Sequence, residues 1–428
     1  MITGRRIYHL IEELWPINRS LTGDGNRLTL KKLKKINSKI KIFEVLSGTK
    51  AFDWKIPLEW NVKKAFLQDF QTKKKIVDFK DNNLHLMGYS ISVNKIISFK
   101  DLKKKLNYIK SLPEAIPYTT SYYKRDWSFN ISYNKFKKLN KKNSYLVNID
   151  TQFKKGSMSY GEILIKGQSK KEFLISTYIC HPSMANNELS GPSLSIYLSK
   201  WLNNLKNRKF SYRFIFIPET IGSIYYISKN LKKIKKNVKA IFNITCVGDN
   251  KNTSILFSKY GNTIADKILL RVLKKNRVKY KKYNWLKRGS DERQFMSVGV
   301  DIPTVSLMSS KYREYPEYHT SDDNLNFISR NGLLKNFNLY KKLILEIEKI
   351  EFPVARYLCE PNLSKRDLYS DHKLSKKNKL IKKYAKNLLN FLSYSDGQNS
   401  LEDISKYIKF DLDDTKKIRK ILKKENLI

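Results

Sequence analysis

The sequence predicts an α/β protein with a mostly parallel sheet flanked by helices, an inserted β-rich domain and a small C-terminal helical module. Between about residues 160 and 350, short apolar runs typical of buried strands alternate with helical patterns. This alternation is the signature of a mostly parallel sheet with helices on both faces. Residues 40–150 instead contain short strand-like runs joined by aromatic connectors, and residues 373–428 carry only short helical patterns.

The individual elements follow from hydrophobic periodicity. Helices are predicted at 5–15, 26–36, 192–205, 224–235, 263–276 and 331–350, and buried strands at 162–165, 172–179, 212–217 and 240–244. We assign residues 1–50 and 151–350 to the α/β catalytic domain and residues 51–150 to the inserted β-rich domain. Residues 354–428 form a C-terminal domain that is similar to a winged helix.

Composition narrows the class of protein. The 428 residues are 41% hydrophobic, which indicates a globular chain. No apolar run approaches the roughly 20 residues that span a bilayer, and the segment Met1–Arg6 does not open an apolar signal segment. We therefore expect a cytoplasmic protein without a membrane span. The three cysteines are far apart and give no disulfide framework.

The formal charge of +46 invites a nucleic-acid interpretation. The lysines, however, are spread over nearly every segment together with abundant Asn and Ile, and do not form one basic arm. This spread is typical of a genome-wide compositional bias and a generic solvated surface. An acidic substrate or surface stays open as the alternative.

Polar stretches that follow predicted strands, where α/β sheets keep their active sites, carry the chemistry. The chain has five histidines, and two of them, His181 and His319, lie in these stretches beside carboxylates. We expect the side chains of these stretches to meet in one crevice. The stretches are 176–191, 217–223, 288–295 and 314–324.

Imidazole and carboxylate groups are zinc ligands, and a catalytic zinc takes three protein ligands plus water. His181, Glu188 and His319 can hold one zinc ion, whose bound water would be the nucleophile. The candidate catalytic residues are Glu219, as general base, and Asp291, as a carboxylate that orients a ligand imidazole or grips a substrate amine. The candidate substrate-binding residues are Asn187, Arg293, Tyr318 and Asp323.

Each of these residues also has a structural alternative. A histidine after a strand can be an ordinary loop residue, and Glu219 can cap the helix that follows it. Asp322 and Asp323 can form a plain N-cap pair. We expect His85 and His372 to be structural.

The same segments resemble the zinc-dependent exopeptidase superfamily of aminopeptidases and glutaminyl cyclases. The matching segments are His181, Asn187-Glu188-Leu189-Ser190-Gly191, Glu219-Thr220, Ser290-Asp291-Glu292 and Tyr318-His319-Thr320. More narrowly, the chain resembles a bacterial family of aminopeptidase-like proteins of unassigned function, which carry an inserted β-rich domain and a C-terminal winged helix. That resemblance runs from Pro16-Ile17-Asn18-Arg19-Ser20 to Tyr394-Ser395-Asp396-Gly397 and implies a link to polysaccharide biosynthesis.

Departures from true aminopeptidases lie at the metal ligands. The bridging aspartate of their two-zinc site falls at Asn187, their second glutamate ligand at Thr220, and a further aspartate ligand at Thr245. The resemblance therefore implies one zinc ion at most, with Glu188 in the place of the lost aspartate.

We accordingly expect a zinc-dependent hydrolase that acts on a peptide or other amide bond of a small-molecule or peptide-like substrate. A glutaminyl-cyclase-like transferase is a close relative of this chemistry. Two other classes stay open: a non-catalytic ligand-binding module, and nucleic-acid binding through the C-terminal helices. For the latter, the candidates are Lys416-Lys417-Ile418-Arg419-Lys420 and the lysines at 373, 376, 377, 379, 382 and 383. Homo-oligomer formation is also left open.

Overall fold

The structure is a computed structural model that describes residues 2–368 and 379–428. Lys373, Lys376, Lys377 and His372 therefore lie outside the described residues. The chain divides into two compact units, Met1–Ile344 and Leu345–Ile428, and each is described by itself.

The first unit contains the strands of the protein's sheets. In the described residues they are β1 (Lys41–Leu46), β2 (Lys50–Ala51), β3 (Trp54–Lys55), β4 (Glu59–Asp69), β5 (Lys75–Asp78), β6 (Val93–Ser98), β7 (Leu106–Asn107), β8 (Phe129–Asn130), β9 (Ser144–Lys154), β10 (Ser157–Ile165), β11 (Glu172–Tyr178), β12 (Ser211–Ile217), β13 (Val238–Asn243), β14 (Ser254–Leu256), β15 (Lys281–Tyr283) and β16 (Thr304–Met308).

The α-helices cover both units and are joined by short 3₁₀ turns and one π-helical turn, Ala185–Leu189. They are α1 (Gly4–Leu14), α2 (Asp24–Ile36), α3 (Phe99–Lys103), α4 (Tyr133–Lys137), α5 (Ser190–Asn203), α6 (Ile221–Asn237), α7 (Ile264–Lys275), α8 (Glu292–Phe295), α9 (Arg330–Ile347), α10 (Lys379–Ser393), α11 (Leu401–Tyr407) and α12 (Leu412–Lys424).

An eight-stranded sheet in the order β1-β10-β12-β11-β13-β16-β14-β15 forms the core of the first unit. The four central strands, β12, β11, β13 and β16, pair in parallel, while β1, β10 and β14 join by antiparallel pairing. Every residue of β11 and β12 is buried, as expected for strands that are covered on both faces. The predicted α/β class is confirmed. The sheet is mixed because β1, β10 and β14 join it by antiparallel pairing, while the edge strand β15 pairs parallel with β14.

A second sheet, β5-β4-β9-β6, lies within residues 59–154, in the region predicted to be β-rich. Strand β9 alternates between buried and partly exposed residues, so one face of this sheet packs on a core and the other faces solvent. Its core includes Trp60, Tyr145 and Val147. The domain boundaries drawn from the sequence stay predictions.

The second unit contains the helices α10, α11 and α12 around a small core. Helix α11 begins with a capping box in which Ser400 and Asp403 satisfy each other's backbone N–H groups. Helix α12 buries Ile418 and Leu422 against the same core.

Candidate functional site

Two neighbouring strands bring the first predicted residues together. Strands β11 and β12 run parallel, with Tyr178 opposite Ile217, so the loops that follow them leave the sheet side by side. The N–H of Glu219 donates a hydrogen bond to the Sγ of Cys180 across 3.2 Å. His181 and Glu219 consequently face each other, with 3.8 Å between His181 Nε2 and a Glu219 carboxylate oxygen.

Glu188 contacts both the backbone and the ring of His181. One of its oxygens accepts the backbone N–H of His181 at 2.5 Å and contacts the ring Nδ1 at 2.7 Å. The other accepts Nε–H of Arg19 at 3.2 Å, and both side chains are fully buried. Burial by itself lowers the pKa of His181, but the hydrogen bond and charge of Glu188 outweigh it and leave that pKa raised. When the ring is neutral and its proton is on Nδ1, directed at Glu188, the Nε2 atom carries the lone pair that can bind a metal ion.

His319 lies on a strained loop that the β-rich region clamps. Its φ of 58° is in the left-handed region, which is uncommon for a residue with a side chain. Its carbonyl accepts the N–H of Tyr118, and the N–H of Ser321 donates to the carbonyl of Ile116. The ring stacks on Tyr318 with centroids 3.9 Å apart. Burial lowers the pKa of His319 well below its ordinary value, so the ring is neutral.

The imidazole rings of His181 and His319 lie close to each other. The ring centroids of His181 and His319 lie 5.3 Å apart. The Nε2 of His319 is buried and has no hydrogen-bond partner. A buried polar atom without a partner is costly, and such atoms are rare in folded proteins.

Glu219 is the carboxylate that faces this pair. Its side chain is 19% exposed, toward the cavity described below. Burial raises its pKa, although the charges of His181 and Arg293 oppose the shift. A carboxylate with a raised pKa and access to a cavity has the properties of a general base.

Asp291 and Arg293 support the start of helix α6. Asp291 accepts the N–H of Thr220 at 2.8 Å and the hydroxyl of Ser223 at 2.7 Å, while its other oxygen has no partner. Burial and the charge of Glu219 raise the pKa of Asp291 to about 7. Arg293 donates from Nη2 to the hydroxyl of Thr220, a β-branched residue held at φ 66°. Such strain clusters at functional sites, because the surroundings must enforce it.

A cavity of about 350 Å³ opens in front of these groups. Its polar wall contains His181, Glu219, Arg293 and His319. Its apolar wall comes from the N-terminal and β-rich regions. The side chains on that wall are Leu21, Trp54, Tyr118, Thr120, Tyr122 and Tyr123, with Ile221 from helix α6.

The other predicted residues lie off the cavity wall. Asp323 is fully buried and accepts the N–H groups of Asn186 and Asn187, at 2.6 and 2.9 Å, and the hydroxyl of Tyr315 at 3.0 Å. Burial raises the pKa of Asp323 to about 6, even though the two N–H groups oppose the shift.

Asn187 and Thr245, which stand where two aspartate ligands were expected, are bonded to each other and to a tyrosine. The Thr245 hydroxyl donates to the Asn187 carbonyl at 2.6 Å, and Tyr178 OH contacts both side chains. Neither Asn187, Asp323 nor Tyr318 lines the cavity. Their predicted role in substrate binding has no support in this geometry and stays a prediction.

Two positions for a metal ion can be compared around His181. In the described part of the chain, one group of three possible ligands has its atoms within 4.8 Å of one another: Cys180, His181 and Glu188. An ion there would sit beside the Arg19 guanidinium and would need the Cys180 thiolate, whose formation burial opposes by raising the thiol pKa well above its ordinary value.

The Nε2 side of His181 offers the other position, although the possible ligand atoms of His181, Glu219 and His319 do not all lie within 4.8 Å of one another. Two imidazoles on one zinc ion have ring centres about 5 Å apart, because each Zn–N bond is about 2 Å long. The rings of His181 and His319 have this separation, and Glu219 adds a carboxylate beside them. Glu188 then has the contacts of a carboxylate that orients a ligand histidine.

Comparisons with known proteins agree with this architecture. Residues 8–350 match the family described as Domain of unknown function (DUF4910), and residues 353–428 match the winged helix-turn-helix family. A relative from Clostridium acetobutylicum, named as a candidate polysaccharide biosynthesis protein with aminopeptidase-like domain, is 42% identical over 94% of this chain and 91% of its own length.

Solved structures show the same fold. The crystal structure of a candidate peptidase from Clostridium acetobutylicum has a TM-score of 0.79 and 40% identity, over 99% of this chain and 96% of that chain. The zinc aminopeptidase BSAP from Bacillus subtilis has a TM-score of 0.61 and 14% identity, over 81% and 95% of the two chains. The fold is therefore that of the aminopeptidases. The chain belongs to the DUF4910 family of aminopeptidase-like proteins and ends in a winged helix.

Three of the basic residues predicted for the C-terminal unit form ion pairs. Lys416 and Lys417 contact Asp413 and Asp414 one turn earlier in α12, Arg419 pairs with Glu351, and Ile418 is buried. These contacts favour the solvated-face interpretation of the lysines. Nowhere in residues 2–368 and 379–428 is there a helix with the length and apolar character needed to cross a membrane.

Two features of the site were missed in the sequence. Arg19, which holds Glu188 and the loop of His181, lies in a turn-rich segment that carried no signal of charge pairing. The aromatic wall at Tyr118, Tyr122 and Tyr123 lies in a connector whose aromatic richness was visible, but whose position over the sheet was not.

Proposed function

We propose that this chain is a hydrolase of amide bonds that works with one zinc ion. The observation that carries the proposal is the buried, unpartnered Nε2 of His319, in a ring 5.3 Å from that of His181 and beside Glu219. The Nε2 atoms of both histidines would hold the ion. Zinc held there would act as a Lewis acid that polarises a carbonyl group and acidifies water.

The chain's own residues divide the remaining work. Glu219 accepts a proton from the attacking water and returns it to the leaving nitrogen. Glu188 keeps the proton of His181 on Nδ1. In this proposal Glu188 orients His181 and does not bind the metal, in contrast to the ligand role expected for Glu188 from the sequence. Asp291 anchors the backbone of Thr220 and thereby the strained turn that follows Glu219.

The names of relatives support an amide on a carbohydrate as the substrate. The Clostridium acetobutylicum relative is named for polysaccharide biosynthesis, and an aromatic wall suits a flat, partly apolar ligand. We propose an acylamino group or an aminoacyl group on a sugar as the substrate class, with a peptide as the second option.

A second candidate is a metal-free ligand-binding protein on the same fold. It is favoured by Asn187, Thr220 and Thr245, whose groups bond to protein neighbours and supply no anionic ligand. This candidate predicts binding of a ligand in the cavity with no product.

The test compares zinc-loaded and chelator-treated full-length protein on a panel of peptide amides and N-acylated amino sugars in heavy-oxygen water. Hydrolysis predicts products that carry one heavy oxygen, formed by the zinc-loaded protein only. Product without heavy oxygen would indicate the cyclase-like transferase, and absence of any product would contradict the hydrolase proposal.

A further inference from the structure

The cavity in front of His181 and His319 offers little negative charge to a ligand. Among the described side chains that line it, Glu219 supplies the carboxylate and Arg293 supplies a permanent positive charge. The remaining lining groups are two imidazoles, a thiol, hydroxyls and apolar surface. An ammonium group in such a cavity would lose its hydration without gaining a spare anion.

Glu219 is not free to bind a substrate ammonium group. Its carboxylate lies 3.8 Å from His181 Nε2, and the charges of His181 and Arg293 both act on it. Arg293, in contrast, brings its positive charge to the cavity wall: Nη2 donates to the Thr220 hydroxyl, and the buried Nε has no partner. The polar wall is therefore better matched to an anionic group of a substrate than to a substrate ammonium group.

An adjoining pocket extends the same pattern. Tyr122 and Tyr123 also line a second pocket of about 170 Å³, which contains Lys124 and Arg125 and no carboxylate among its lining residues. Arg125 lies over the ring of Phe153 at 4.0 Å, which keeps its guanidinium at the pocket. A ligand that crosses the two tyrosines meets positive charge on both sides.

The residues at positions that could have offered a carboxylate to a substrate are buried and have their hydrogen bonds made within the protein. Asn187 and Thr245 are fully buried and bonded to each other, and Asp323 has its oxygens filled by two N–H groups and a hydroxyl. We propose that the cavity takes an amide whose amino end is acylated and which carries a negative charge, and that it excludes a free α-ammonium group. This inference rests on the proposed function, because it names the substrate of the same site: within the proposed class it keeps the acylamino sugar and excludes the aminoacyl sugar, which has a free ammonium group.

Calorimetric titration of the zinc-loaded full-length protein tests the proposal with three matched ligands. They are leucinamide, N-acetyl-leucinamide and N-succinyl-leucinamide, which carry a positive, a zero and a negative charge at the amino end. We expect the succinyl ligand to bind at least about tenfold more tightly than the acetyl ligand, because it gains a charge-assisted hydrogen bond. Leucinamide should bind most weakly.

Variants of Arg293 test whether this residue causes the preference for the negatively charged ligand. Arg293→Gln should remove most of the tenfold preference for the succinyl ligand, and Arg293→Lys should retain part of it. Arg288→Gln is the matched control, since Arg288 is exposed and lies over Trp285 outside the cavity. Its ligand preference should equal that of the wild type.

Several outcomes would overturn the proposal: leucinamide binding as tightly as the acetyl ligand, equal affinities for the acetyl and succinyl ligands, or no binding of the three. Expected binding without turnover of any amide would leave this inference standing and remove the hydrolase. Turnover of substrates with a free amino group would do the reverse.

Discussion

Two buried polar clusters near the π-helical turn at residues 185–189 differ in how completely their hydrogen bonds are made. The closed cluster consists of Tyr178, Asn186, Asn187, Thr245, Asp249, Ser310, Tyr315 and Asp323. The open cluster consists of His181, Glu219, Asp291, Arg293 and His319. No side-chain N or O atom of the closed cluster is left without a partner, whereas three residues of the open cluster each leave one unpaired.

The difference indicates a structural role for the closed cluster and a ligand-binding or catalytic role for the open cluster. The closed cluster includes Asn187 and Thr245, which stand at two of the positions where aminopeptidases carry metal ligands, and their groups bond to each other and to Tyr178. The open cluster retains two histidines and a glutamate on a cavity, together with strained backbone at Thr220 and His319. Unpaired buried groups cost stability, and a ligand bound in the cavity would supply the partner that His319 Nε2 lacks.

The largest effect is expected from removing the base of the open cluster. Glu219→Gln keeps the shape but cannot accept a proton, so turnover of a substrate found in the amide panel should fall by about 10²–10⁴-fold. Thermal unfolding should be nearly unchanged. Glu12→Gln, at an exposed position, is the control. An unchanged rate in the Glu219 variant would assign the base to another group.

The largest effect on stability is expected from the closed cluster. Asp323→Ala removes the acceptor of two N–H groups and one hydroxyl, all buried, and should lower the free energy of unfolding by about 3 kcal/mol. Asp322→Ala, next in the chain and partly exposed, should change it by less than about 0.5 kcal/mol. Denaturant titration measures both, and equal effects would erase the distinction between the clusters.

A pH profile tests the coupling of the two acids in the open cluster. The charge of Glu219 raises the pKa of Asp291. Because repulsion between two carboxylates is mutual, replacing Asp291 by Asn removes a group whose ionised form opposes ionisation of Glu219, and should lower the pKa of Glu219. The base form would then persist to lower pH. The acidic limb of kcat/KM should therefore move down by up to about one pH unit. A limb that stays in place, or moves up, would contradict the coupling.

The smallest effect concerns a single hydroxyl of the closed cluster. Thr245→Val preserves shape but removes the hydrogen bonds to Asn187 and Tyr178, which should cost about 1–2 kcal/mol of stability. Its zinc content should equal that of the wild type, because Thr245 does not line the cavity. Loss of zinc in this variant would connect the two clusters.

Much of this arrangement could be predicted from the sequence where local pattern decides it. The apolar runs of β11 and β12 predicted buried strands of one mostly parallel sheet, and the polar residues directly after them, His181 and Glu219, do meet. His319 joined them because it is one of few histidines and follows a strand.

Side-chain direction and long-range packing could not be predicted in the same way. Glu188 sits on a π-helical turn, whose spacing no hydrophobic period reveals, and it turns toward Arg19 at a sequence distance of 169 residues. The N–H groups that bind Asp323 belong to backbone, which carries no sequence signal of its own. The antiparallel pairing of β1, β10 and β14 in the main sheet also depends on backbone contacts and was not foreseen.

Elemental analysis of the purified full-length protein tests the central claim most directly. The wild type and His9→Ala, which alters an exposed histidine, should each hold about one zinc ion, while His181→Ala and His319→Ala should hold almost none and remain folded. Zinc retained by His319→Ala, or a wild type that takes up no zinc when the metal is added, would contradict a single-zinc site at His181 and His319.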